Sequence, residues 1–283
     1  MDRVAVIQIA RSIQKFQGRK YIVDSASEPH LQALGIHDGM DWVDYAGGVL
    51  VQDSPTTRCR RVVSGDGTAF YFKRYICSFR RGIQFWMRPG KAAVEVWAYQ
   101  KLAALGIPTL KVVAYGEDRV LGVLRSACVV TREIPDSQNL EDFALNHWYQ
   151  MPEPKRNQVC DEISVQLAEQ TRQAHQGGFF HHDLKWRNVL IQQLDGHYRA
   201  VWIDAPRAWT MPFRKRRGVV VDLAGLARLA VSLLSLNARM RFIWNYLGPE
   251  RRPGDAAKLY REVARNLGRR PPKPIKLPPR TMV

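Results

Sequence analysis

Closely spaced cysteines are missing from this sequence. Its four cysteines, Cys59, Cys77, Cys128 and Cys160, are scattered along the chain and form no C-x-x-C pair. Neither a disulfide framework nor a zinc site is therefore predicted. We expect reduced thiols in a cytoplasmic protein. No internal repeat of fixed period is visible.

Long uninterrupted apolar runs are missing as well. The longest apolar stretch, Gly218 to Leu236, contains Asp222 and Arg228, which favours a buried core helix over a membrane span. The first residues lack the small-residue cleavage pattern of a signal peptide. We therefore expect a protein that is not secreted and is either soluble or attached to a membrane surface.

Acidic residues are few relative to basic ones. The 283 residues include 43 Lys and Arg against 26 Asp and Glu, a formal net charge of +17. Such an excess favours a polyanionic partner, for which nucleic acid, an anionic lipid surface and a phosphorylated glycan are candidates. The alternative is a basic surface that serves solubility alone. A hydrophobic content of 46% is sufficient for one large domain or two lobes.

The segment 42–134 alternates short apolar runs with turn residues, which is typical of an antiparallel meander. A hairpin turn at residues 65–67, Gly-Asp-Gly, leads into an apolar strand that ends near Lys73. Helical periodicity follows from Lys91 to Leu105, with Glu95 beside the apolar stripe. Because a buried carboxylate needs a cation, Lys73 is the expected partner of Glu95. The alternative for Lys73 is a solvated residue at a strand end.

The pattern changes at Ile134-Pro135, where we place the boundary between two lobes. A long helix is predicted from about Asn157 to Gln176. The motif from His181 to Ile191 follows, and then a hairpin whose second strand ends at Asp204. We expect residues 214–217, Arg-Lys-Arg-Arg, to form a loop before the buried helix.

The stretch from His181 to Ile191 carries the strongest functional pattern. It fits H-x-D-L-K-x-x-N followed by an apolar strand, which places Asp183 and Asn188 at the spacing used in phosphoryl transfer. There an aspartate accepts a hydroxyl proton and an asparagine holds a metal ion. We expect both residues to converge with Asp204. The alternative is that Asp183 is a cap and Asn188 a turn residue in an inert fold.

The order of these pieces resembles the protein-kinase-like fold over about residues 42–247. More narrowly, the chain resembles the bacterial lipopolysaccharide core kinases, which phosphorylate heptose or Kdo sugars. The resemblance lies in residues 182–185, the strand end at residues 202–208 and the basic run before Asp222. The resemblance implies an α+β, bilobal fold, with a small antiparallel-sheet N-lobe containing one main helix and a larger, mainly helical C-lobe. The implied domains are an N-terminal extension (1–41), the N-lobe (42–134), the C-lobe with the catalytic loop (135–268) and a basic proline-rich tail (269–283).

The two ends of the chain carry their own patterns. Residues 1–23 fit a basic amphipathic helix on an anionic membrane, and equally a first strand or helix packed on the domain. The composition of the tail suits an extended segment that is disordered or docked on the surface.

Carried over residue by residue, the resemblance implies an enzyme that uses ATP and Mg²⁺. Lys73 would steady the α and β phosphates, and Glu95 would hold Lys73 by an ion pair. Asp183 would be the catalytic base. Asn188 and Asp204 would bind the magnesium ion that bridges the phosphates.

Other residues have supporting roles in the same resemblance. Asp222 would brace the backbone of the catalytic loop, and the nucleotide would meet the hinge near Glu133. His181 and His182 are expected to pack and orient their neighbours, because no third ligand is spaced to complete a metal site with them.

The sequence departs from the protein-kinase pattern in two places. No G-x-G-x-x-G lies between the first two strands, so the phosphates must be cradled differently, with Thr56, Thr57 and backbone amides as candidates. Residues 204–206, Asp-Ala-Pro, stand in place of D-F-G. They keep the metal-binding acid but disfavour switch-type regulation, because proline fixes the backbone where glycine would allow a flip.

Basic residues near the motif favour an anionic acceptor. Arg187 in the loop and the run Arg214, Lys215, Arg216 and Arg217 would lie beside the acceptor. Residues 80–91 mix cations with large apolar groups and fit either a membrane or glycan-phosphate surface or a solvated loop. We expect a substrate in the anionic, phosphorylated lipopolysaccharide core, contact with an anionic membrane surface, and a cytoplasmic location peripheral to the inner membrane of a Gram-negative bacterium.

The leading hypothesis is therefore an ATP-dependent kinase acting on a heptose or Kdo hydroxyl of the lipopolysaccharide inner core. One alternative is a small-molecule kinase of the aminoglycoside or choline type, against which the basic charge argues, because cationic substrates call for an acidic pocket. Another is a catalytically weak pseudokinase or a basic binding scaffold. The retained residues Asp183, Asn188 and Asp204 oppose that alternative, and nucleic acid is disfavoured as a partner.

Overall fold

The structure is a computed structural model that describes residues 16–210, 215–269 and 271. The chain divides into two compact units. The first comprises the described residues up to Gln100 together with Leu110–Ile134, and the second comprises Lys101–Thr109 together with the described residues from Pro135 onward. The predictions for residues 1–15, for Arg214 and for most of the tail lie outside the described residues.

The first unit is built on an antiparallel sheet of six strands. In chain order the strands are β1 (Gly18–Val23), β2 (Val49–Ser54), β3 (Thr57–Val63), β4 (Ala69–Ile76), β5 (Val112–Val120) and β6 (Val123–Arg132). Their order across the sheet is β1-β5-β6-β4-β3-β2. The helices are α1 (Glu28–Ala33), α2 (Phe79–Gln84) and α3 (Lys91–Ala104), the last of which continues into the second unit.

Both faces of this sheet are covered, as alternate residues of β6 show. Successive side chains of a strand point to opposite faces. Ala127 and Val129 therefore join the apolar cluster that includes residues of α3, whereas Cys128 and Val130 join the cluster that contains Trp42. Burial on both faces explains why residues 127–130 of this strand form a continuous apolar run instead of alternating with polar residues.

The second unit combines helices with two small sheets. Its helices are α4 (Leu140–Asn146), α5 (Glu153–Gln176), α6 (Lys215–Leu233), α7 (Leu236–Leu247) and α8 (Asp255–Arg269). Its strands are β7 (Ser137–Asn139), β8 (Phe179–Phe180), β9 (Val189–Leu194), β10 (His197–Trp202) and β11 (Trp209–Thr210). They form the sheets β10-β9-β7 and β11-β8.

The core of the second unit lies among α5, α6, α7 and α8. Ala168, Leu223, Ile243 and Leu259 belong to one buried cluster, contributed by these four helices in turn. The β9–β10 hairpin, which carries the predicted catalytic loop at one end, closes through a two-residue turn. Within the described ranges, no helix combines the length and the apolar character needed to cross a bilayer.

The structure departs from the expected local structure in several places. For residues 18–23 it decides between the alternatives given above, because these residues form strand β1, which pairs antiparallel with β5. The expectation of a loop at 214–217 is wrong for Lys215 to Arg217, which form the first turn of α6. The helix begins this early because Gly218 already packs on Phe180, whose ring a Cβ at Gly218 would overlap. Helices α1, α2, α7 and α8 were not predicted from the sequence.

Candidate active site

The first unit contributes a buried ion pair. Lys73 on β4 donates from Nζ to both carboxylate oxygens of Glu95 on α3, at 3.1 and 3.0 Å. Glu95 is only 2% exposed, so the cation offsets the cost of removing this carboxylate from water. The structure therefore brings together the two residues that the sequence paired.

Two tyrosines that the sequence did not assign complete the environment of Glu95. The Tyr75 hydroxyl donates to Oε2, and the Tyr99 hydroxyl donates to Oε1 at 2.7 Å. Their spacing is informative, because Tyr75 lies two residues beyond Lys73 on the same face of a strand and Tyr99 lies one helical turn beyond Glu95. Three donors hold the carboxylate, which fixes the position of the Lys73 ammonium group.

Glu133, the predicted hinge residue, is held by side chains of its own sheet. Arg61 donates from Nε and Nη2 to its two oxygens at 2.8 and 2.7 Å, and the Tyr71 hydroxyl donates at 3.0 Å. The hydrogen bond from Arg61 lowers the pKa of Glu133 below its ordinary value, against the opposing effect of burial. The Glu133 side chain therefore has a structural role in the sheet, and its contact with a nucleotide stays a prediction.

The predicted catalytic loop lies between β8 and β9 in the second unit. Asn188 donates from Nδ2 to the Asp183 carbonyl oxygen at 2.8 Å and reaches Oδ2 of the same residue at 3.5 Å. The Lys185 ammonium group forms an ion pair with Oδ1 of Asp183. Lys185 was part of the sequence motif, but no role was predicted for it. Two side chains of the loop thus orient the Asp183 carboxylate.

Asp222 on α6 holds the start of this loop. It is fully buried, and its two oxygens accept hydrogen bonds from the backbone N–H groups of His181 (2.8 Å) and His182 (2.7 Å). The bracing role implied by the family resemblance is thereby seen directly. His175 on α5 contacts the same carboxylate through Nε2 at 3.3 Å and Tyr246 on α7 through Nδ1 at 2.9 Å.

His181 and His182 are both used in packing, as predicted. His181 is buried, lies edge-on to Trp202 and is hydrogen bonded through Nε2 to the Ile203 carbonyl oxygen at 3.1 Å. His182 adopts a left-handed backbone with φ 61°, and burial lowers the pKa of its imidazole. The nearby His181, Arg217 and His175 lower this pKa further, while Asp222 acts in the opposite direction.

Asp204 follows β10, next to a backbone hydrogen bond that ties this strand to the loop. The Ile203 N–H donates to the Asn188 carbonyl oxygen at 3.0 Å. Asp204 itself is half-buried and has a left-handed φ of 57°, an uncommon conformation that is concentrated at functional sites. Asp204 therefore directly follows the residue whose backbone is hydrogen bonded to Asn188.

These two side chains suit a magnesium ion chemically. Asn188 uses Nδ2 for the Asp183 carbonyl, so its oxygen is the end that remains for a cation. Mg²⁺ is usually held by one or two carboxylates together with substrate phosphates and water. Over the described ranges no group of three or more His, Cys, Asp or Glu side chains could hold a metal. A donor set of one amide and one carboxylate fits an ion that is shared with phosphate and water.

The basic residues assigned to the acceptor occupy different settings. Arg187 is exposed in the loop, and Lys215 to Arg217 are exposed at the start of α6. Arg216 is engaged, because it donates from Nε to Glu262 on α8 at 2.7 Å. This hydrogen bond lowers the pKa of Glu262. Arg214 lies outside the described residues.

Comparison with known proteins identifies the family of this chain. The model of the Lipopolysaccharide kinase (Kdo/WaaP) family matches residues 51–246, which is more than half of the sequence. The chain belongs to this family. The match spans Lys73, Glu95 and the whole catalytic loop, as the resemblance seen in the sequence had indicated.

Two relatives agree with this assignment. The chain is 28% identical over 171 residues to the Lipopolysaccharide core heptose(I) kinase WaaP of Pseudomonas aeruginosa, over 58% of this chain and 62% of the relative. The chain therefore spans about three fifths of the length of that relative. A solved structure described as WaaP in complex with acyl carrier protein superposes with a TM-score of 0.65 at 22% identity, over 88% of this chain and 98% of the other. The predicted α+β fold is thereby confirmed.

Replacement of Asp222 by alanine should destabilise the protein strongly. The variant leaves the backbone N–H groups of His181 and His182 buried without their acceptor, and we expect a loss of roughly 3 kcal/mol or more in the free energy of unfolding, measured in urea. Asp161→Ala, which removes an exposed pair with Arg241, should cost less than about 1 kcal/mol. Similar losses for both variants would contradict the bracing role. If Asp222→Ala does not fold, Asp222→Asn, which keeps one acceptor, should give an intermediate loss.

A second stability prediction concerns the contact between α6 and the loop. A Cβ at Gly225 would overlap the Leu184 carbonyl oxygen, whereas a Cβ at Gly268 on α8 has open space around it. Gly225→Ala should therefore lower the free energy of unfolding by about 1–3 kcal/mol. Gly268→Ala should raise it by about 0.5–1 kcal/mol, because alanine favours a helix. Urea titrations of both variants test this, and a stabilised Gly225→Ala would show that Leu184 yields without cost.

Proposed function

We propose that this protein is an ATP-dependent kinase that phosphorylates a heptose or Kdo hydroxyl of the lipopolysaccharide inner core. The observation that carries the proposal is the arrangement of Asp183, which Asn188 and Lys185 orient on a backbone that Asp222 holds. Membership of the Lipopolysaccharide kinase family supports the substrate class. The ion pair of Lys73 with Glu95 supports the use of a nucleotide.

In the proposed reaction the acceptor hydroxyl oxygen attacks the γ-phosphorus of ATP. The bond between this phosphorus and the β–γ bridging oxygen breaks, ADP leaves, and the hydroxyl proton passes to the Asp183 carboxylate. The Lys185 ammonium group, beside Asp183, stabilises negative charge on the transferred group. Lys73 binds the α and β phosphates, held in place by Glu95.

Asn188 and Asp204 are the residues that would hold magnesium. The ion, when bound, neutralises charge on the phosphates during transfer. Asn188 is kept in position by its hydrogen bond to the Asp183 carbonyl, so the metal ligand and the base are set by the same loop. Replacement of D-F-G by residues 204–206, Asp-Ala-Pro, keeps the ligand on a backbone with less freedom to flip.

The acceptor is proposed to be anionic. A net charge of +17 would attract a phosphorylated glycolipid, and Arg187, Lys215 and Arg217 are the described cations available to contact it. Arg214 is part of the same proposal on the basis of sequence alone. We place the reaction at the cytoplasmic face of a bacterial inner membrane, where the protein would act as a peripheral enzyme.

Asp183→Ala should abolish transfer of the γ-phosphate from ATP to a dephosphorylated core acceptor. We expect kcat to fall at least about 10³-fold, because both proton transfer and orientation of the hydroxyl are lost, while the melting temperature changes little. Radiolabelled ATP and the purified acceptor provide the assay. Asp195→Asn, which suits the left-handed hairpin turn beyond the loop, is the control and should keep full activity. An unchanged rate for Asp183→Ala would exclude Asp183 as the base.

Acyl carrier protein is a further proposed partner, since a related WaaP structure contains it. The second unit contains a partly open apolar cavity of about 140 Å³, lined by side chains of α4, α5, α6, α7 and α8 that include Phe143, Leu226, Ala230 and Phe242. A cavity of this composition suits an acyl chain. We propose that the chain binds acyl carrier protein in its acylated form, with the acyl group in this cavity.

Filling the cavity should weaken binding of the acylated carrier protein and leave binding of the unacylated form largely unchanged. Ala227→Phe introduces a ring into the lining, and we expect binding of the acylated carrier to weaken at least about tenfold, because the volume for the acyl chain is lost. Binding measured by calorimetry for acylated and unacylated carrier provides the comparison. Equal affinities of the unaltered protein for the two forms would contradict the assignment of the cavity.

A further inference from the structure

An unusual concentration of exposed apolar side chains lies at one end of the first unit. The described ranges contain sixteen large apolar side chains that are exposed, and seven of them lie here. They belong to α2, to the turn after it, to the β5–β6 hairpin and to Phe16, which contacts this hairpin. These residues are Phe16, Phe79, Ile83, Trp86, Met87, Val120 and Leu121, and we call them the apolar platform. Trp86 is 55% exposed and Leu121 is 65% exposed.

Helix α2 presents its apolar face to solvent because its other face is glycine. Gly82 is the buried residue of this helix, and a Cβ there would overlap the carbonyl oxygen of Leu124 on β6. The backbone of α2 therefore lies directly on the sheet. Phe79 and Ile83, one turn apart, are left on the outside, the reverse of an ordinary surface helix.

The platform is held rigidly by a buried arginine. The Arg119 guanidinium is inaccessible to solvent and donates to the carbonyl oxygens of Phe85 and Gly122 at 2.9 Å and of Arg88 at 2.8 Å. The Trp86 indole N–H donates to the Leu121 carbonyl oxygen at 3.1 Å. These bonds join the turn after α2 to the hairpin, so the exposed rings are presented in a fixed arrangement.

Two large apolar residues of the platform, Met87 and Leu121, have a left-handed backbone conformation that such side chains disfavour. Leu121 and Gly122 have φ values of 49° and 79°, and Met87 has a φ of 52°. Two-residue hairpin turns of this type strongly prefer Asn-Gly or Asp-Gly. The same chain uses Asp195-Gly196, with φ values of 50° and 81°, in its other hairpin. Leucine at the tip is therefore locally unfavourable, a feature that is characteristic of functional sites.

Positive charge predominates around the platform, although Asp118, just before the β5–β6 hairpin, is partly exposed. Residues 76–94 and 119–126 contain no Asp or Glu. Arg80, Arg81, Arg88 and Arg125 are exposed there. Guanidinium groups at this position can contact phosphate headgroups, while the aromatic and aliphatic tips enter the boundary of the acyl chains.

We infer that the apolar platform docks on an anionic phospholipid bilayer. These side chains are exposed to solvent, basic residues predominate around them, and the Trp86 indole N–H is satisfied within the protein. This inference goes beyond the proposed function, because it assigns a membrane-binding surface to specific residues and stands whether or not the acceptor is a core sugar.

Flotation of the full-length protein with vesicles tests the inference. Leu121→Asn suits the left-handed turn, so the melting temperature should stay the same or rise. We expect partitioning into phosphatidylglycerol and phosphatidylethanolamine vesicles to fall about fivefold, because one inserted apolar group is lost. Leu194→Asn makes the same exchange at the other hairpin, where the leucine is 44% exposed, and should leave partitioning unchanged.

Two double variants separate the apolar and the charged contributions. Phe79→Ser with Trp86→Ser should lower partitioning at least about thirtyfold. Arg80→Gln with Arg81→Gln should lower it roughly thirtyfold at low salt and less at high salt, and vesicles of neutral phosphatidylcholine should bind the unaltered protein weakly.

The outcomes distinguish this inference from others. Unchanged partitioning of Leu121→Asn and of the Phe79 and Trp86 variant would overturn it, even if the arginine variant binds less, since the surface would then act by charge alone. Loss of acyl carrier protein binding with normal vesicle binding would assign the platform to a protein partner and also overturn it. All platform variants should retain transfer to a water-soluble core oligosaccharide, whereas Asp183→Ala should lose transfer and keep vesicle binding.

Discussion

The buried carboxylate of Asp222 is the interaction on which the catalytic loop depends. A charge without access to water is costly unless hydrogen bonds satisfy it, and here two backbone N–H groups of the loop itself do so. The same bonds fix His182 in its left-handed conformation, which turns the chain toward Asp183. Because the acceptor belongs to α6, the conformation of the loop depends on the packing of that helix in the second unit.

A comparable arrangement surrounds the other buried acids. Glu95 is satisfied by Lys73, Tyr75 and Tyr99, and Glu117 pairs with Arg119 in the interior. Such acids are withdrawn from the surface, whereas most cations are exposed. Because each of these ion pairs is neutral, the excess of +17 stays with the rest of the chain. An anionic acceptor, an anionic membrane and the basic rim of the apolar platform are consistent with this distribution.

Much of the fold was predictable because it rests on local patterns. The strands β4, β9 and β10 and the helices α3 and α5 have periodic apolar residues and clear turns, and the structure contains each of them. The pairing of Lys73 with Glu95 was predictable because a carboxylate on an apolar stripe requires a cation. The early start of α6 was missed and strand β1 was left as one of several alternatives, since the first depends on a contact with Phe180 and the second on pairing with β5. No local pattern contains those partners.

The sequence by itself determined the family, the residues of the catalytic motif and the excess of positive charge, because motif spacing and composition need no coordinates. The tertiary structure alone decided which groups surround those residues. It placed two tyrosines in hydrogen-bond contact with Glu95 and an ammonium group beside Asp183. It also paired Glu133 with Arg61. It also decided that the apolar side chains of α2 are exposed to solvent while Gly82 packs on the sheet. The physical reason is that hydrogen-bond partners and burial depend on contacts between residues far apart in the chain, which periodicity does not encode.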